Sequence, residues 1–134
     1  MQNGGFETGG LTSWIPSVQN ENVTVVSGMA YEGSYCLEIS GQTSVGQMLD
    51  QTTTGNMTFW AKCSNSLESS YIVIFFYGTE VYSITIGSIS GAWNKYEVES
   101  LIAYDEFFFS TTDTADPMNT YPELKLIDNV SIIP

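Results

Sequence analysis

Between positions 71 and 77 the chain reads Tyr-Ile-Val-Ile-Phe-Phe-Tyr, apolar or aromatic on both faces of any strand it forms. A sheet with one solvated face normally carries polar residues at alternate positions. This segment therefore holds more ring surface than one core layer needs. With Ile72, Ile74 and Phe76 read as core, Tyr71, Val73, Phe75 and Tyr77 fall on the opposite face. Trp60 falls opposite Met57, Phe59 and Ala61 in the same way. Exposed aromatic patches mark binding surfaces. Flat rings stack against the C–H faces of sugar rings, while amides and carboxylates bond hydroxyls. The competing reading is that these rings form a second core layer, or lie beneath the polar segment 111–122.

Other chemistries are excluded by residue type. The chain has no histidine and no arginine. That removes Ser-His-Asp and Cys-His catalytic sets, histidine-bound zinc and arginine clamps on phosphate. Glycosidases use two carboxylates across a sugar bond, but none of the acidic pairs here is singled out, and no enzyme activity is expected. Asp105, Glu106, Asp113 and Asp116 make a late acidic cluster, read as a solvated face before a weak cation site.

The elements that must position these residues are short strands with turn residues between them, and no stretch keeps a helical period. Strands are expected near 23–26, 35–40, 45–51, 57–62, 71–77, 81–86, 93–100, 104–110 and 123–133. In 35–40, Tyr35, Leu37 and Ile39 alternate inward against Cys36, Glu38 and Ser40. About eight to ten such strands imply an all-β, single-domain jelly-roll sandwich over residues 1–134. The length of 134 residues suits one core. Three basic residues against fifteen acidic ones give a formal charge of −12. That argues against nucleic acid, where phosphate neutralisation supplies most of the affinity, and no apolar run is long enough for membrane insertion. Cations and neutral sugars remain compatible.

The order of several segments carries a resemblance. Asn3-Gly4-Gly5-Phe6-Glu7 opens the chain, with Leu11 and Trp14 behind it. Residues 30–39, Val45-Gly46-Gln47, residues 57–62 and Trp93-Asn94-Lys95-Tyr96 follow, and Leu126-Ile127-Asp128-Asn129-Val130 closes it. Together they resemble the galactose-binding-like jelly rolls that include carbohydrate-binding modules of the family 4, 9 and 22 type. In that group the opening segment is a strand lying near the closing one. The resemblance implies a non-catalytic module that binds a polysaccharide or glycan on one sheet face, with Trp60, Phe75, Tyr77 and Gln47 as contacts. It also implies a structural calcium held by Glu7, Glu32 and Asp128, beside backbone carbonyls. Calcium takes six to eight oxygens, which such a set suits. The competing reading is that Glu7 caps backbone amides and Asp128 sits in a turn.

The expected setting is extracellular or at the cell surface, as part of a larger multidomain protein. The alternative is a structural or adhesive module of a surface layer, filament or virion, self-assembling through 71–77 and Phe107-Phe108-Phe109. Cys36 points away from the core by parity and Cys63 toward it, so two free thiols are favoured over a disulfide. Asn22, Asn56 and Asn129 begin glycosylation sequons, Asn129 being the least suitable because it lies within a strand.

Overall fold

The computed structural model describes residues 3–16, 23–40, 43–63, 69–89, 92–111 and 124–133. Ten strands follow in chain order: β1 (Ile15–Pro16), β2 (Val23–Ser27), β3 (Tyr35–Ser40), β4 (Thr43–Thr53), β5 (Asn56–Cys63), β6 (Ser69–Tyr77), β7 (Glu80–Ile89), β8 (Asn94–Val98), β9 (Tyr104–Thr111) and β10 (Leu124–Ile133). They build two five-stranded sheets, here called front (β1-β4-β9-β6-β7) and back (β2-β3-β10-β5-β8). Every pairing is antiparallel. The expected all-β jelly-roll sandwich is what forms.

Alternating residues of both sheets meet in one core. Val45, Val73, Phe75, Phe107 and Phe109 come from the front sheet. Leu37, Ile39, Met57, Phe59, Ala61 and Ile127 come from the back sheet. The Phe59 and Phe109 rings meet edge to face at 5.0 Å across the two layers, a favoured aromatic geometry. Tyr104 is also buried, and its hydroxyl donates to the Gly55 carbonyl at 2.6 Å. That bond satisfies a polar group that burial would otherwise leave unpaired.

The opening segment is not a strand. Residues 3–14 form a turn-rich loop organised by Asn3. Its Nδ2 donates to the carbonyls of Gly10 and Thr12, both at 3.0 Å. Its own carbonyl accepts from the Trp14 indole at 2.9 Å. Asn3 adopts φ 52° and Phe6 φ 58°, left-handed conformations that Asn tolerates better than most residues. The loop drives Phe6 and Trp14 into the core between the sheets, with their rings 5.1 Å apart.

The closing strand is irregular for a reason visible at one residue. Asn129 has φ 51°, and the β10–β5 register shifts between Asp128 and Ser131. The extra residue is a bulge. It leaves Asp128 on the outer side while Val130 returns to the core and donates its amide to the Gly4 carbonyl at 2.9 Å.

Candidate functional site

The four expected glycan contacts are not brought together. Phe75 is fully buried, and Gln47 is 3% exposed, in the buried register of Val45 on β4. In β6 the core and outer faces are exchanged relative to the expected alternation. Val73 and Phe75 pair with Phe109 and Phe107 in the core, so Ile74 and Phe76 face outward. A slip of one position exchanges the faces of a strand. Tyr77 keeps the parity of Phe75 but lies at the strand's end, where it is 46% exposed. Trp60 belongs to the other sheet, on the outer face of β5. The segment 112–123, which could have covered the rings, lies outside the described residues, as do Asp113 and Asp116.

The reversal of β6 creates a different surface. On the outer face of the front sheet, Gly46, Phe108, Ile74 and Ser83 stand opposite one another across β4, β9, β6 and β7. The next row is Met48, Glu106, Phe76 and Val81. Phe76 and Phe108 meet edge to face at 5.7 Å. Gly46 is required beneath them, because a Cβ there would run into the Phe107 carbonyl and the Phe108 ring. Met48 is 66% exposed and Val81 58%, so among the described residues the half-buried rings stand in an open apolar strip with Glu106 as its acceptor. All three basic residues of the chain lie in back-sheet strands: Lys62 in β5, Lys95 in β8 and Lys125 in β10. The front sheet thus offers a ligand rings, hydroxyls and carboxylates, and no cation. Sequence reasoning missed Phe76 and Phe108, although Phe108 carried a signal. With Phe107 and Phe109 committed to the core, strand alternation turns Phe108 outward.

Glu7, Glu32 and Asp128 all lie at the outer side of the back sheet, around the turn before β3. The amides of Ser34 and Tyr35 donate to Glu7 Oε1 at 2.6 Å and Oε2 at 2.8 Å. Gly33, at φ 73°, makes that approach possible, since a Cβ there would collide with the Glu7 carboxylate. Asp128 is buried. Its Oδ2 accepts from the Glu32 amide at 3.0 Å and its Oδ1 from the Asn129 amide at 2.8 Å. Glu32 itself is turned aside, its Oε2 accepting from Asn129 Nδ2 at 3.2 Å. Burial above all, and also the charge of Glu7, holds the Asp128 carboxyl above its ordinary value, while the Glu32 and Asn129 amides pull it down. Among the described residues no three His, Cys, Asp or Glu side chains are grouped to hold an ion. Calcium here would draw on Glu7 and Asp128, which keep unused lone pairs, together with carbonyl oxygens. Without any ion, the same groups already latch the loop before β3 to the N-terminal loop and to β10.

Under that latched loop, Cys36 is a free thiol, fully buried although it points away from the core. Burial first, then Asp128 and Glu38, push its thiol up to about 11. The Cys63 side chain lies outside the described residues. Its backbone pairs with Lys125 of β10, the strand that separates it from β3. Asn56 donates to Glu97 Oε1 at 3.2 Å, and Asn22 is outside the described residues.

Comparison with known proteins agrees with this architecture. A family model described as a carbohydrate binding domain matches residues 1–102. Among solved structures, a family 61 carbohydrate-binding module in complex with β-1,4-galactotriose is 17% identical, with TM-score 0.68 over 99% of this chain and 96% of that one. The N-terminal tandem of family 22 modules from Paenibacillus barcinonensis Xyn10C is 13% identical, with TM-score 0.69 over 97% of this chain and 48% of that one. The K3 cleaved adhesin domain of Lys-gingipain from Porphyromonas gingivalis is 16% identical, with TM-score 0.71 over 97% of both chains. At these identities the likeness is one of fold. No curated protein sequence matches.

Proposed function

The chain belongs to the carbohydrate binding domain family, and from that premise we propose that it is a non-catalytic module holding a neutral glycan on the outer face of its front sheet. The observation that carries this reading is the pair Phe76 and Phe108, ring against ring on a surface where a solvated sheet would carry polar residues. Met48, Ile74 and Val81 widen the strip, and Glu106 and Ser83 supply groups for hydroxyls. The absence of any basic residue from the front-sheet strands favours an uncharged polysaccharide over an acidic one. An extracellular or cell-surface setting, within a larger protein, is part of the proposal.

The test is affinity electrophoresis in gels holding neutral polysaccharides such as xylan, β-glucan and galactan. Wild type should be retarded by at least one of them, and Phe108→Ala should restore free mobility. Binding that survives in Phe108→Ala would move the site elsewhere. Ordered self-assembly without retardation by any of them would favour the structural module instead.

A structural calcium is a separate part of the proposal. Its support is the buried Asp128 carboxylate, whose charge is disfavoured by burial and by Glu7. An ion would relieve both. At a hundredfold excess over its dissociation constant it would add about 2.7 kcal/mol, so chelation should lower the melting temperature. An identical melt with and without chelator would leave the latch to hydrogen bonds alone.

A further inference from the structure

The outer face of the back sheet concentrates what the rest of the surface lacks. Two of the three tryptophans and two of the three basic residues of the chain lie there together. Tyr31 stacks on Trp60 with centroids 3.8 Å apart and planes 15° from parallel. Trp93 stands 6.0 Å from Tyr31 at 55°, making a corner. The Lys62 ammonium lies 5.5 Å from the centroid of Trp93, and Lys95 is the cross-strand partner of Trp60. Tyr31 is 40% exposed, with Trp60 against one face of its ring.

Three neighbouring acids accept hydrogen bonds from groups other than the two lysines. Glu97 accepts from Asn56, Glu32 from Asn129, and Asp128 from two backbone amides. Glu38 lies in the same cross-strand row as Lys62, with β10 between them and their backbones about 10 Å apart at two strand spacings. Neither Lys62 nor Lys95 makes an ion pair among the described residues. Two ammonium groups with no carboxylate partner among the described residues, in a chain of charge −12, frame an aromatic corner.

We propose that this corner is a second saccharide site, taking a sugar unit that bears a carboxylate. The pyranose C–H face would lie against the exposed Tyr31 ring, with Trp93 as the wall. Lys62 and Lys95 would donate charge-assisted hydrogen bonds to the carboxylate. The negative charge of the whole protein is screened beyond about 10 Å at ordinary ionic strength, so a short acidic oligosaccharide is accepted where a dense polyanion is repelled. The site is independent of the front-sheet glycan surface.

The experiment is an NMR titration with trigalacturonate, following the indole N–H signals of Trp60 and Trp93 with buried Trp14 as internal reference. A neutral trisaccharide, β-1,4-galactotriose, is the control. The acidic trimer should shift Trp60 and Trp93 saturably and leave Trp14 in place, and the neutral trimer should leave all three unshifted. The double variant Lys62→Gln/Lys95→Gln removes charge from exposed or half-exposed positions without disturbing the core. It should weaken binding about tenfold or more, the loss expected for charged hydrogen bonds. Unshifted Trp60 and Trp93 signals, or wild-type affinity in the double variant, would overturn the proposal.

Discussion

The two outer faces of this sandwich both carry aromatic side chains, and they use them differently. On the front sheet, Phe76 and Phe108 lie over strands with nothing described above them, beside exposed Met48 and Val81. On the back sheet, the loop 28–34 crosses the strands. Tyr31 covers Trp60, and Cys36, Leu126 and Asp128 are buried although they point outward. Among the described residues the front face is a bare platform. The back face is partly a second, small interior closed by a latch of carboxylates on amides. The lesson is that an aromatic on an outer face is not by itself a contact residue. What decides is whether the chain's own loops have already taken its ring.

The sharpest way to break this comparison is at Phe75. If it is core, as its complete burial indicates, Phe75→Ala should cost about 3–5 kcal/mol of stability, the usual loss for a buried phenylalanine. Denaturant unfolding reads it. A variant as stable as wild type would return Phe75 to the surface and undo the register of β6.

The latch predicts a pH effect of definite sign. The folded protein holds the Asp128 proton more tightly than the unfolded chain does, because the carboxyl is raised above its ordinary 3.8. Between that value and the raised one, this group makes stability fall as pH rises, and its contribution levels off above. Asp128→Asn removes that component. Unfolding free energies of wild type and variant, measured with chelator across the acidic range, should therefore diverge against wild type as pH increases through the window. Parallel curves would mean that Asp128 is not desolvated.

A smaller effect tests the cover itself. Tyr31→Ala should cost about 1 kcal/mol through loss of the ring pair, and it should open the loop over Cys36. In wild type the Cys36 thiol, buried and raised to about 11, should react with a disulfide reagent only after denaturation. In Tyr31→Ala its native-state reaction should accelerate. Equal rates would separate the stack from the burial of Cys36.

Much of this was legible from residue patterns. In β3 and β5 the outward positions include Glu38, Ser40, Thr58 and Lys62, and Leu37, Ile39, Met57, Phe59 and Ala61 are core as expected. In β6 both faces are apolar, so alternation carries no information about direction. There the pairing of Phe75 with Phe107 settles the face, a long-range contact that no local pattern reports. The same limit hid Phe76 as a platform residue, whereas Trp60 was read to the correct face of β5 and joined to residues of the other sheet only by the family resemblance. Glu7 and Asp128 were expected near each other only from the resemblance of the two chain ends, and the loops that carry them meet at the β10 bulge. Their four amide partners follow from left-handed turns at Gly33 and Asn129, and only the assembled backbone supplies them.

The most direct test of the glycan surface is a residue-resolved NMR titration with a neutral oligosaccharide cut from whichever polysaccharide retards the protein. The account predicts that the backbone amides that shift cluster in β4, β9, β6 and β7 around Gly46, Phe108, Ile74 and Phe76, while those of β5 and β8 stay in place. Shifts centred on Trp60 and Trp93, with Phe76 and Phe108 unmoved, would contradict it.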